Sequence, residues 1–237
     1  MASAIVSRSI VTPVSVLRCS SGNGPIVLSG VRWQTYEALL EDLGNRRIRL
    51  TYDRGNLEIM APQFRHERYA GVLGEVVKAL AAGAKVRVLS AWSTTFRRED
   101  LERGLEPDRC FYIRNLPAVL GKLEIDLSCD PPPDLALEID IMSSCLDRLG
   151  IYAALGVQEV WRFDGQQFTV LLRRDAIGYD RADASLTFPG LPIAEVVGLL
   201  HEVAALDDAT QQRRIRAWIR KHMPRQKPKR GPRRKKN

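Results

Sequence analysis

Apolar and polar residues alternate along this chain with two different periods, and the switches between them mark out its elements. Over TYEALLEDLG, Tyr36, Leu39, Leu40 and Leu43 recur at helical spacing, with Gly44 placed to end the helix. RIRLTYDRGNLEIMAP changes to strict alternation on both sides of Asp53-Arg54-Gly55-Asn56, which predicts a β-hairpin. Helical spacing returns over residues 65–82, where Tyr69, Val72, Leu73, Val76, Val77 and Leu80 form one stripe and His66 lies in the first turn. Short strands are expected near 85–89, 93–97 and 108–113, and a longer one over 134–141 behind three prolines. A helix is expected over 145–155, with Ser144 as N-cap, Asp147 three residues on, and Gly156 as its stop. EVWRFD and QFTVLL flank Asp164-Gly165, a second hairpin signal. Helices near 192–204 and 208–222 follow. Mixed strands with a βαβ-like crossover in the middle predict an α/β or α+β fold, a mixed central sheet flanked by helices. The expected organisation is a poorly ordered segment over 1–32, a main domain over 33–206, a C-terminal helix over 207–223 and a basic, disordered tail over 224–237.

Composition narrows the possibilities. At 237 residues with 45% hydrophobic and 27% charged residues, the chain can fold around a core without metal or disulfides. No stretch approaches the ~20 apolar residues of a membrane span, so a soluble, cytoplasmic protein is expected. Cys19, Cys110, Cys129 and Cys145 form no CxxC pair and only three histidines accompany them, which argues against a Cys/His zinc site. The first 33 residues lack acids and faintly resemble a transit peptide, but Arg8 and Pro13 interrupt any apolar run, so a frayed terminus is the expectation.

The formal charge of +8 belongs to one end. Residues 220–237 hold ten of the 36 Lys and Arg and no acid, leaving 26 basic against 28 acidic side chains in the rest. The body is mildly acidic, and the tail is the segment expected to hold nucleic acid without reading its sequence, a solubilising terminus being the alternative.

Chemistry concentrates on the strand Asp134-Leu135-Ala136-Leu137-Glu138-Ile139-Asp140-Ile141. Alternation sends Leu135, Leu137, Ile139 and Ile141 to one face and Asp134, Glu138 and Asp140 to the other. Glu138 and Asp140 then stand about 7 Å apart at Cα, given ~3.3 Å of rise per residue. A solvated face is the competing reading, yet a wet strand normally mixes cations and hydroxyls with its acids. Clustered carboxylates repel and raise one another's pKa unless a cation intervenes, and hard oxygen donors suit Mg²⁺ or Mn²⁺. On that picture, removing one acid would cost little stability. Asp108, after Pro107 at the entrance of the 108–113 strand, supplies a second carboxylate sharing a face with Cys110 and Tyr112. Arg148 sits among Ile151, Tyr152 and Leu155 on the next helix, so it must either snorkel to water or reach an anion.

Together EPD, PPPDLALEID and the SS that precedes IYAALGVQEVWRFD, with TYDRGNLEIMAP and His66 upstream, resemble the bacterial Uma-two family of predicted restriction endonucleases, from about Trp33 to about Leu200. That family is assigned to the PD-(D/E)XK nuclease superfamily. The resemblance implies a restriction-endonuclease-like core in which Asp108 takes the place of the PD aspartate and Glu138 that of the (D/E). Asp140 stands where the superfamily's lysine would be, and Arg148 fits the place to which the cation has moved. IMSSCLD departs from the more usual ITSSSLN at Met142, Cys145 and Asp147, the last an extra anion beside Arg148. The implied activity is Mg²⁺- or Mn²⁺-dependent hydrolysis of phosphodiester bonds, with Asp108, Glu138 and Asp140 as metal ligands and Asp108, Glu138, Arg148 and His66 as catalytic residues. The implied partner is nucleic acid, DNA first, with no membrane; a homodimer is compatible. The alternatives are a catalytically inactive nuclease fold serving as a nucleic-acid-binding or interaction module, and a structural protein with solvated acids.

Overall fold

The computed structural model describes residues 14–18, 24–44, 46–141 and 144–223. Strands β1 (Ser15–Arg18) and β2 (Ile26–Ser29) precede helix α1 (Trp33–Leu43) and the hairpin β3 (Arg49–Asp53) and β4 (Asn56–Met60). Next come α2 (Phe64–Ala84), β5 (Leu89–Ser90), β6 (Phe96–Arg98), β7 (Arg103–Leu105), β8 (Arg109–Tyr112) and the short α3 (Leu116–Val119). Then β9 (Leu135–Ile139), α4 (Arg148–Leu155), β10 (Glu159–Phe163), β11 (Phe168–Arg173), β12 (Tyr179–Ala182), α5 (Ile193–Val203) and α6 (Asp208–His222) complete the fold.

The mixed α/β class stands, but the strands divide between two six-stranded sheets, ordered β1-β2-β4-β3-β7-β6 and β12-β11-β10-β9-β8-β5. In the first, Arg54 and Gly55 at φ 46° and 88° make a tight turn with two left-handed residues, which twists with the β3–β4 ladder. In the second, β9 and β10 pair in parallel, with α4 as the crossover a parallel pair requires, and the remaining pairs are antiparallel.

Both faces of the second sheet are covered. Phe111, Leu135, Leu137, Ile139, Trp161 and Phe163 pack under α2, α5 and α6. Cys110, Ala136 and Val160 pack on the other face against Ile151, Tyr152 and Leu155 of α4 and against Phe96 and Leu105. All five residues of β9 are therefore buried, Glu138 included.

Four expectations need correction. Ile26–Ser29 of the supposedly unordered N-terminal segment pairs in register with β4, and Ser15–Arg18 pairs with β2; residues 1–13 and 19–23 lie outside the described residues. The strands sought at 85–89 and 93–97 appear at 89–90 and 96–98. A 3-10 turn over Glu99–Leu101 folds the chain back into β7, which the alternation did not suggest. The helix expected from 145 begins at Arg148, because Asp147 rather than Ser144 caps it, accepting from the Gly150 N–H at 2.9 Å. The C-terminal helix is not an appendage, since Ile215 and Ile219 of α6 lie in the same core as α2. Tail residues 224–237 lie outside the described residues.

Candidate active site

Asp108 immediately precedes β8 and is 1% exposed. Its Oδ2 accepts the Ile139 N–H at 2.6 Å, so a carboxylate takes the place of the next ladder carbonyl and locks Asp108 to the end of β9. The same oxygen lies 3.2 Å from His66 Nε2, and Oδ1 pairs with the Arg49 guanidinium. His66 is buried rather than exposed, as first-turn histidines often are. Arg49, on β3, also meets Glu67 Oε1 at 2.5 Å; burial lowers its pKa, against the pull of Glu67 and Glu138. Glu67 is held below its usual range by the adjacent His66 ring, and by Arg49 and Arg109.

Glu138 is held by a fork of hydrogen bonds. Arg148 Nη2 donates to Oε1 at 2.7 Å and Nε to Oε2 at 2.9 Å, and the Tyr152 hydroxyl donates to Oε1 as well. The remaining Arg148 bonds run to Thr51 Oγ1 at 2.6 Å and the Glu106 carbonyl at 2.8 Å. Burial works against the Arg148 charge, but Glu138 more than offsets it and pushes the pKa above the usual arginine range. Burial and the neighbouring Glu138 raise the Tyr152 pKa, keeping the phenol a donor. The cation on α4 thus meets the strand's anion; it does not snorkel.

Asp140 lies one residue past β9, where its N–H donates to the Phe163 carbonyl and its Oδ2 pairs with Arg162 of β10. Asp134 points to the other end of the strand and serves the backbone, accepting from the Ile113 and Asn115 N–H groups at 2.6 and 3.0 Å. Asp147 spends its charge on the α4 cap.

Asp108, Glu138, Asp140, Arg148 and His66, drawn from four separate stretches of chain, all line one cavity of about 200 Å³. Sequence reasoning missed Glu58, which lines it too and is 1% exposed. Its carboxylate accepts from Ser144 Oγ at 2.9 Å and from the Cys145 N–H at 2.7 Å, tethering the turn that leads into Arg148. Arg49, Thr51, Tyr152 and Arg162 were missed as well. The signal for two of them was present, since Thr51 and Glu58 face each other across the predicted hairpin on its polar side.

The donor set suits a hard divalent cation in chemistry. Among the described residues, Asp108 Oδ1 and Glu138 Oε2 each meet one protein donor and Asp140 Oδ1 meets none, so each carboxylate has acceptor capacity left, and all three residues line one cavity. The arrangement is not a closed cage: among the described residues no group of three or more His, Cys, Asp or Glu is gathered closely enough to hold a metal. The anions are interleaved with Arg49, Arg148 and Arg162 rather than repelling one another, which corrects the expectation of a purely anionic face.

Fold and site together define a mixed α/β protein with a recessed cavity of carboxylates and arginine, lined by strands of both sheets and by α2 and α4. The chain belongs to the Uma2 family, described as "Putative restriction endonuclease", whose model matches residues 33–198 and so spans every candidate residue named above. Family membership supports a nuclease-like function. A crystal structure described as a "putative nuclease belonging to DUF820" from Anabaena variabilis is similar at 14% identity and a TM-score of 0.44, covering 64% of this chain and 90% of that one. No curated protein matches the chain. Among the described residues, no helix is long and apolar enough to cross a membrane.

Proposed function

We propose that this protein is a divalent-metal-dependent endonuclease hydrolysing phosphodiester bonds in DNA. One observation carries the reading: Asp108, Glu138, Asp140, Arg148 and His66 converge on a single cavity although 82 residues separate the first from the last. Asp108 and Glu138, with Asp140, would hold Mg²⁺ or Mn²⁺, which when bound lowers the pKa of a water and polarises a phosphate oxygen. Arg148 stays protonated, so it can stabilise charge growing on the phosphate but cannot act as a base. Its four bonds fix the guanidinium before substrate arrives. The His66 ring and the Ile139 N–H hold the Asp108 carboxylate in one orientation.

The test is plasmid cleavage in Mg²⁺, Mn²⁺ or EDTA, with Mn²⁺ binding followed separately by electron paramagnetic resonance. Wild-type protein should nick plasmid only with metal, while Asp108→Asn and Glu138→Gln lose cleavage and weaken Mn²⁺ binding. A second reading, an inactive nuclease fold that binds nucleic acid, is favoured by the arginine already paired with each carboxylate. DNA binding with neither Mn²⁺ binding nor cleavage would select it.

A further inference from the structure

We infer that the solvent face of α6 is a docking surface for the phosphodiester backbone of duplex DNA, separate from the cavity. The surface lies outside the family-matched span, which ends at 198. α6 reads DATQQRRIRAWIRKH, with Arg213, Arg214, Arg216, Arg220 and Lys221 against the single acid Asp208. Its buried side, Gln211, Ile215 and Ile219, packs into the core. The opposite side carries Arg213, Arg216 and Arg220 at i, i+3 and i+7, exposed along one shallow groove with Thr210.

None of these three arginines has an ion-pair partner among the described residues; Arg213 only donates to Thr210 Oγ1, at 2.8 Å. Most carboxylates on flanking elements are engaged elsewhere: Glu202 lies 3.7 Å from Arg214, Glu75 bonds Lys78, and Asp208 bonds Arg68. Asp207 accepts the Thr210 N–H as the helix cap and acts on Arg213 through space without an ion pair. Like charges stacked three and four residues apart disfavour a helix, so an unneutralised stripe calls for an external polyanion. Arginine forks match phosphate oxygens two at a time. From Arg213 to Arg220 the helix rises about 10.5 Å, at 1.5 Å per residue. Phosphates of one DNA strand recur every ~3.4 Å along the duplex axis, so the stripe spans about three of them.

A membrane is the weaker partner. A helix lying in a lipid surface buries its apolar face in the bilayer, and here Ile215 and Ile219 are already in the core. The stripe also has a place relative to the cavity. Arg68, two residues beyond His66, holds the start of α6 through Asp208 and the Ala204 carbonyl at 2.8 and 2.9 Å. A Cβ added to Gly83, near the end of α2, would meet Ile219, so α6 runs alongside α2 and away from the cavity's His66 end. The choice of DNA rests on the nuclease reading proposed above.

The experiment measures anisotropy of a fluorescently labelled duplex with the full-length protein in EDTA, where cleavage is silent, over a salt series. Replacing Arg213, Arg216 and Arg220 together by Gln should weaken binding and reduce the slope of log K against log salt. At ~0.9 per phosphate contact, the fall is up to ~2.7. Replacing the same three by Lys should keep the slope, and neutralising the exposed Arg47, Arg174 and Arg181 should leave it unchanged. Equal losses from the two Gln triples, no loss from the α6 triple, or loss in the Lys triple would each overturn the surface. So would phosphatidylserine vesicles, rather than DNA, losing their binding to the α6 Gln triple. Cleavage is scored separately on saturating plasmid with Mg²⁺. A chain that binds duplex through α6 and never cuts keeps this surface and refutes the nuclease reading; a chain that cuts with the α6 triple binding normally does the reverse.

Discussion

Replacing Arg148 by Met, which keeps most of the alkyl stem and removes the charge, should destabilise the protein by several kcal/mol. The guanidinium makes four hydrogen bonds, two of them to Glu138, with the two side chains 11% and 10% exposed. Without it, Glu138 keeps only the Tyr152 hydroxyl as a donor, and a buried carboxylate loses its hydrogen-bonded cation, with Arg49 acting on it only through space. Breaking a buried pair from one side costs about 3–5 kcal/mol, whereas replacing both partners with apolar groups of similar volume is often close to neutral. For a chain of this size that is a fall in Tm on the order of 6–20 °C, at roughly 2–4 °C per kcal/mol.

Urea unfolding at pH 7, followed through the fluorescence of buried Trp161, measures it. Arg148→Met and Glu138→Leu should each be strongly destabilised, and the double variant should recover a coupling energy of about 2–4 kcal/mol. A loss below ~1 kcal/mol in Arg148→Met would place the pair in the range of a solvent-screened surface bridge and refute the reasoning. The sequence-based expectation for Glu138 ran the other way. Relief of anion repulsion would make its removal nearly free, so the sign at Glu138 separates an anionic cluster from an interleaved ion network.

Other perturbations follow from the same geometry. Burial raises the Glu106 pKa, so its ionisation opposes folding: stability is greatest below the unfolded value and declines as pH rises through the folded one. Glu106→Gln should therefore raise Tm at pH 7, with the gain shrinking toward pH 4.5; a gain independent of pH would contradict this. A Cβ on Gly104 of β7 would run into the Tyr36 ring and hydroxyl, so Gly104→Ala should lose about 1–3 kcal/mol in chemical denaturation, and Tyr36→Phe in the same chain should restore part of it. Asp147→Ala removes the α4 cap and should cost roughly 1 kcal/mol while lowering cleavage, because the cap sets where Arg148 begins the helix; Asp147→Asn or Ser should rescue both.

Much of the fold was legible because its signals are local. Asp53-Arg54-Gly55-Asn56 and Asp164-Gly165 turn as their residue types require, and the alternation of β9 correctly sends Leu135, Leu137 and Ile139 away from Glu138. Arg148 was readable for the same reason, since it follows Glu138 by ten residues and its apolar surroundings on α4 required an anion. The first sheet's share of the site was not. Arg49 and Thr51 occupy the polar phase of an alternating strand, a pattern that ordinarily marks a wet face, yet both are buried. Their partners stand 59 and 97 positions along the chain, at Asp108 and Arg148. A period of two tells which residues share a face; it carries no information about what that face meets.

That face meets the site, and the consequence is a division of labour between the sheets. The entrance to β8 and strand β9 supply Asp108 and Glu138, α4 supplies Arg148, and β3 and β4 of the other sheet supply Arg49, Thr51 and Glu58, each in contact with one of those residues or with the turn that carries them. Neither sheet buries its half unaided: Asp108 without Arg49 and His66 is an unpaired charge in the interior, and Arg49 without Asp108 keeps only the partly exposed Glu67. The ionic network therefore fixes how the two sheets dock as much as it builds a cavity. Any ligand that draws Asp108 or Glu138 away from its arginine must replace that interaction with one at least as strong. A divalent cation, with twice the charge and oxygen-seeking chemistry, meets that requirement where a neutral ligand does not.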